Sequence, residues 1–114
     1  MKYKVLITEI AKEDIKEKKK YILRNFKYRE YADNFSQEIK KAVRGLEILP
    51  DGYGTTGFQY RGYDIYLKAY KNNHLFYTVN KKITTVTILR VLQDGMDWEN
   101  IIRQWIDRKN RKKS

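Results

Sequence analysis

Residues 87–98 read TILRVLQDGMDW. Thr87 to Leu92 form an apolar, β-branched run interrupted by one charge, Arg90, and Asp94-Gly95 breaks it. Asp97 then stands before Trp98, the first member of an apolar stripe at Trp98, Ile101, Ile102, Trp105 and Ile106. The pattern predicts a buried strand, a tight turn and a helix capped by Asp97, with Glu99 in its first turn. Arg90 needs a reason to be there, because burying an unpaired charge is expensive. Two readings are open: an ion pair with Asp94 or Asp97 at the strand-to-helix corner, or a place on an open functional face.

Upstream, two further runs prepare this strand. YDIYLKAY (Tyr63–Tyr70) alternates Ile65, Leu67 and Ala69 with Tyr66, Lys68 and Tyr70. HLFYTV (His74–Val79) follows the polar turn Lys71–Asn73, and Asn80–Ile83 turns the chain again into TTVTILRVL. Three strands joined by tight polar turns predict an antiparallel meander. The glycine-rich segment before them, PDGYGTTGFQYRG, is the loosest part of the chain, with a short strand expected around Phe58–Tyr60.

The first half is helical. YKVLIT (Tyr3–Thr8) predicts a short strand, and Thr8 can cap a helix from about Ile10 to Arg24, with Glu9 and Glu13 at its positive end. Its stripe, Ala11, Ile15 and Ile22 with Tyr21 beside it, is thin. A second helix is expected over Arg29–Leu49. Tyr28, Ala32, Phe35, Ile39, Ala42, Val43, Leu46 and Leu49 recur every three or four residues, and Pro50 stops it. So short a link implies an antiparallel hairpin. The expected fold is α+β, in the order β-α-α-β-β-β-α. A mainly antiparallel sheet carries the helical hairpin on one face, followed by a C-terminal helix. Residues 1–114 read as one domain with a basic tail from about Asp107.

The formal charge is +11, spread over both halves: 13 basic and 8 acidic residues in 1–50, 12 and 6 in 51–114. Such a chain attracts polyanions or an acidic protein through a salt-dependent field. No run approaches the roughly 18 apolar residues of a membrane helix, so no membrane role is expected. MKYKVLITEIAKED turns charged too early for a secretory signal. There is no cysteine, which fits a cytoplasmic protein and excludes a thiol nucleophile. With one histidine besides, no zinc site of those ligands is available, and no metal or cofactor is expected. DGYGTTG lacks the lysine and the context of a phosphate loop. Ser36 and Ser114 sit in no nucleophile elbow.

What remains is a basic, aromatic sheet face. Tyr66, Lys68 and Tyr70 project together by the period of two, with His74 and Phe76 on the next strand, Arg61 and Lys71 at the ends and Arg90 on the last strand. If the helices cover the opposite face, this one is open. Cations among rings suit nucleic acid, through phosphate neutralisation and base stacking. The same groups could cleave RNA without metal, a lysine or tyrosine taking the 2′-hydroxyl proton and an arginine holding charge on phosphorus. Equally, the tyrosines can be packing residues, Lys68 a solvated edge residue and His74 an exposed histidine beside a turn.

Taken in order, YKVLITEIAKEDI, YADNFSQEIKKAVRGLEILP, HLFYTVN and TVTILRVLQDGMDW resemble the RelE/ParE superfamily of bacterial type II toxin–antitoxin toxins over nearly the whole length. The resemblance implies a cognate antitoxin, often acidic and ordered only on binding, that neutralises the toxin. RelE-like members cut messenger RNA on the ribosome with basic residues of the sheet face. That would make Arg61, Lys68 and Arg90 catalytic, with Lys71 on the same face. Such members often add a C-terminal tyrosine or histidine, and this chain has neither after Trp98. ParE-like members inhibit DNA gyrase without cleaving RNA, and the ending RVLQDGMDW resembles theirs. Tyr66, Tyr70, Lys71 and His74 would then contact the target. Inhibition of gyrase is the leading expectation, ribosome-dependent mRNA cleavage the alternative, and a non-toxic nucleic-acid-binding domain the second alternative.

Overall fold

A computed structural model describes residues 2–26 and 28–111. The elements run β1 (Lys4–Ile7), α1 (Glu9–Asn25), α2 (Glu30–Gly45), a 3₁₀ turn at Pro50–Gly52, β2 (Gly54–Tyr60), β3 (Tyr63–Tyr70), β4 (Asn73–Asn80), β5 (Thr85–Gln93) and α3 (Trp98–Arg111). The sheet order is β1-β5-β4-β3-β2. β2 to β5 form an antiparallel meander, and β1 pairs parallel to β5 from Lys4↔Thr85 to Ile7↔Ile88. The α+β class and the meander are as the patterning predicts. The strand expected only around Phe58–Tyr60 is a full edge strand, β2, with an irregular register between Thr55 and Gln59. Of the expected basic tail, Lys112 and Lys113 lie outside the described residues; the part before them continues α3.

Thr8 starts α1 as its spacing predicts: the Ala11 N–H donates to its hydroxyl oxygen at 3.2 Å. The hydroxyl itself donates to the Ile88 carbonyl at 2.9 Å, which ties the helix start to β5 where β1 stops. α2 is shorter than its apolar periodicity suggests. It ends at Gly45, and Leu49, expected on the inner stripe, is 72% exposed with φ +53°. Tyr28, also expected on that stripe, is exposed too. Pro50 disfavours a helical conformation at Leu49, the residue before it, so the helix does not run on to Leu49 as hydrophobicity alone would place its end.

The sheet is covered on both faces. Leu75, Tyr77, Val86, Ile88 and Val91 pack with Ala11, Phe35, Ile39 and Leu46 of the hairpin side. Ile65, Phe76, Leu89 and Leu92 pack with Ile102 and Trp105 of α3. Coverage on both sides explains why TVTILRVL is nearly continuous in apolar residues instead of alternating. A register shift between Phe76 and Tyr77 leaves an extra residue in β5, which moves Val91 into the hairpin-side core and Leu92 into the α3-side core.

Candidate functional site

Because α1 and α2 lie over the face that carries Tyr66, Lys68 and Tyr70, the open basic face expected from the sequence is closed. Lys68 is 6% exposed. Its ammonium donates to the Ala42 carbonyl at 2.9 Å and lies 5.2 and 5.6 Å from the ring centres of Tyr53 and Tyr70. Carbonyls in the last turn of a helix lack intrahelical partners and carry the negative end of its dipole. Together with two ring faces they hold a cation that has no carboxylate. Gly45 leaves the space: a Cβ there would collide with the Lys68 ammonium. Lys68 is therefore not a solvated edge residue. Tyr66 stacks on Tyr77 with ring centres 5.5 Å apart.

The partner of Arg90 is neither Asp94 nor Asp97. It is Asp14, on α1. Arg90 Nε donates to one carboxylate oxygen at 2.8 Å and a terminal guanidinium nitrogen to the other at 2.9 Å. The Val91 N–H adds a third bond at 3.0 Å. β1 pairs with β5 only as far as Ile88, and beyond it α1 presents Asp14 where a strand neighbour would have been. One carboxylate thus satisfies a guanidinium and an edge amide at once, and both side chains are about 15% exposed. Asp94 stands 3.5 Å from His74 Nε2, and Asp97 accepts from the Asn100 side chain at the start of α3.

Apart from Arg90, the sequence-predicted residues fall into three groups. Arg61 and Tyr66 line an open cavity of about 540 Å³ at the β2–β3 turn. Arg61, with φ +54°, rests its guanidinium 5.1 Å from the Tyr60 ring centre. Lys71 and His74 lie at the other end of the strands, on the order of 25 Å away by the rise of eight strand residues. Lys68 and Tyr70 are under α2. Reading the chain alone missed Lys81 and Lys82, which share the Arg61 cavity with Tyr63. The sole signal was the Lys-Lys pair in a segment read only as a turn. Lys81 pairs with Asp51 at 3.0 Å, which holds the Asp51 carboxyl below and the Lys81 ammonium above their ordinary ranges. Among the described residues no group of histidine, cysteine, aspartate or glutamate is placed to hold a metal, and no helix is long and apolar enough to cross a membrane.

The assembled geometry is a basic cleft at one end of a sheet, with two of the expected cations locked into the structure. Solved structures share the fold. A chain of the chromosomal ParDE toxin–antitoxin system from P. aeruginosa is 15% identical, with a TM-score of 0.66, covering 82% of this chain and 97% of that one. A chain of the RelBE2 toxin–antitoxin complex from Mycobacterium tuberculosis is 20% identical, with a TM-score of 0.54, covering 84% and 95%. A chain of the archaeal RelE–RelB complex from Pyrococcus horikoshii is 17% identical, with a TM-score of 0.55, covering 83% and 98%. At these identities the likeness is one of fold. No curated protein matches the sequence. The family described as "ParE toxin of type II toxin-antitoxin system, parDE" matches residues 5–98, from β1 to the first residue of α3. With most of its length inside that match, the chain belongs to the ParE toxin family of type II toxin–antitoxin systems.

Proposed function

We propose that this toxin inhibits DNA gyrase by binding it, and that a cognate antitoxin, acidic to match a charge of +11, neutralises it. The observation that carries the reading is the family match over residues 5–98. The side-chain geometry supports it. Metal-free RNA cleavage needs cations and a base that reach the scissile phosphate. Lys68 is spent on the end of α2 and Arg90 on Asp14. The structural relatives named above come from toxin–antitoxin systems, which supports an antitoxin partner.

One feature favours the ribonuclease alternative: the cavity that groups Arg61, Lys81 and Lys82 with Tyr63 and Tyr66 has the composition of an RNA contact. Induction in bacteria, with DNA, RNA and protein synthesis followed separately, divides the readings. Gyrase inhibition predicts early loss of DNA synthesis with translation intact. Early arrest of translation with cleaved transcripts, abolished by Arg61→Ala in a folded protein, would replace it with the ribonuclease reading. Harmless expression without an antitoxin would point to a non-toxic nucleic-acid-binding domain.

A further inference from the structure

The turn between α1 and α2 is unlike the rest of the surface. Among the described residues of 18–31 there are five basic side chains and one acidic, Glu30. Four aromatic residues there, Tyr21, Phe26, Tyr28 and Tyr31, are 48–63% exposed. Phe26 meets Tyr31 at 53° and Tyr28 meets it at 64°, so the three rings form one tilted cluster, each about half exposed or more. Exposed rings gathered in this way mark an interaction site more often than chance placement does.

Beneath them opens a cavity of about 390 Å³. Its walls are aromatic: Tyr21, Phe26, Tyr31 and Phe35. Ile22 adds an aliphatic contact, and the polar part of the lining is mixed in sense, with the amides of Asn34, Asn72 and Gln93 beside the Glu38 carboxylate and the Lys18 ammonium. The polar lining is fixed from below. Lys18 donates to the side-chain oxygen of the buried Asn73 at 2.6 Å and lies 4.7 Å from the Phe35 ring centre. Asn73 in turn donates to Glu38 at 3.3 Å. Burial pulls the Lys18 ammonium below its ordinary range, while Glu38 opposes that shift.

We infer that this hairpin tip is a binding site for single-stranded nucleic acid, one base entering the cavity while the backbone runs over the basic turn. Aromatic walls suit the face of a base, and amides with a carboxylate offer donors and acceptors to its edge. Lys20, Arg24 and Arg29, all exposed, supply the phosphate-neutralising charge outside the cavity. An acidic peptide would meet the same cations, but the one ammonium lining the cavity, Lys18, is already committed to Asn73 and faces Glu38, so a carboxylate inserted there finds no free cation, whereas a neutral base carries its charge outside on the phosphate. The site is separate from the Arg61 cavity and does not depend on which target the toxin inhibits.

The test is fluorescence anisotropy with a short, labelled, mixed-sequence single-stranded DNA. Tyr31→Ala and, separately, the more exposed Tyr28→Ala are compared with Lys41→Gln, a charge change on the exposed side of α2. Circular dichroism checks that each variant is folded. Stacking predicts a loss of about tenfold or more for at least one ring variant, and little change for Lys41→Gln. A chain of this charge holds any polyanion weakly, so equal binding by wild type, Tyr28→Ala and Tyr31→Ala would overturn the proposal and leave a diffuse electrostatic contact. So would stronger capture of a labelled acidic peptide than of the oligonucleotide, lost on the same substitutions, which would make the tip a protein-docking surface.

Discussion

Asp14 and the Ala42 carbonyl decide what two interior cations do. Arg90 is held by a carboxylate with two lines of hydrogen bonds, and the same carboxylate caps the Val91 amide. Removing Asp14 strands both groups, which is costlier than replacing the whole pair with apolar residues. Asp14→Ala should therefore lower unfolding free energy by roughly 2 kcal/mol, below the fully buried case because both side chains keep some solvent access. Asp14→Leu with Arg90→Met should recover the part of that loss due to the stranded guanidinium, though not the part due to the Val91 amide, in urea denaturation. Additive loss in the double variant would mean that the pair is not the unit described. Lys68 makes a different prediction through Gly45. Alanine is the better helix former, by roughly 0.5–1 kcal/mol, yet a Cβ at 45 meets the Lys68 ammonium. Gly45→Ala should stabilise a Lys68→Ala background more than it stabilises the wild type, because in the wild type the Lys68 ammonium must shift from the Ala42 carbonyl to admit the Cβ. Equal effects in both backgrounds would contradict the packing described at the end of α2.

At the scale of elements, periodicity was a good guide wherever burial was one-sided. The α2 stripe through Ala32, Phe35, Ile39, Ala42 and Leu46 is buried where its spacing puts it. It failed at Leu49, the residue before Pro50, and at Tyr28, which precedes α2 and is exposed. It also failed on the sheet. The alternation in β3 says that Tyr66, Lys68 and Tyr70 share a face, but not which face the hairpin will take. A charged residue biased the choice toward solvent, and a carbonyl brought in from 26 positions away reversed it. Likewise Asp14 lies 76 positions from Arg90, a separation that no local spacing reveals. The Tyr77 hydroxyl joins β4 to the connection after α2, donating to the Pro50 carbonyl at 2.6 Å. Burial pushes this phenol well above its ordinary value of 10.0. A raised folded-state value means stability that is present below the unfolded pKa and lost as pH rises beyond it. Alkaline unfolding should begin above about pH 10, and Tyr77→Phe should flatten that limb while costing about 1 kcal/mol at neutral pH. An unchanged alkaline limb in Tyr77→Phe would assign it to other groups.

For the whole molecule, composition and motif order reached the family, and geometry narrowed the site. Lys68 and Arg90 serve the structure, Arg61, Lys81 and Lys82 share a cleft, and other basic residues crowd the hairpin tip. A protein that works by binding tolerates such a division, because a surface can use charges far apart. A catalytic centre does not, because its groups must meet at one phosphate. That contrast makes the target the central question. Purified gyrase, relaxed plasmid and the purified toxin answer it most directly, with supercoiling read on a gel over a toxin titration. Gyrase inhibition predicts dose-dependent loss of supercoiling that the antitoxin reverses, and that Lys68→Met in its folded form retains. Full supercoiling at saturating toxin, from a preparation that cleaves messenger RNA on ribosomes, would contradict it.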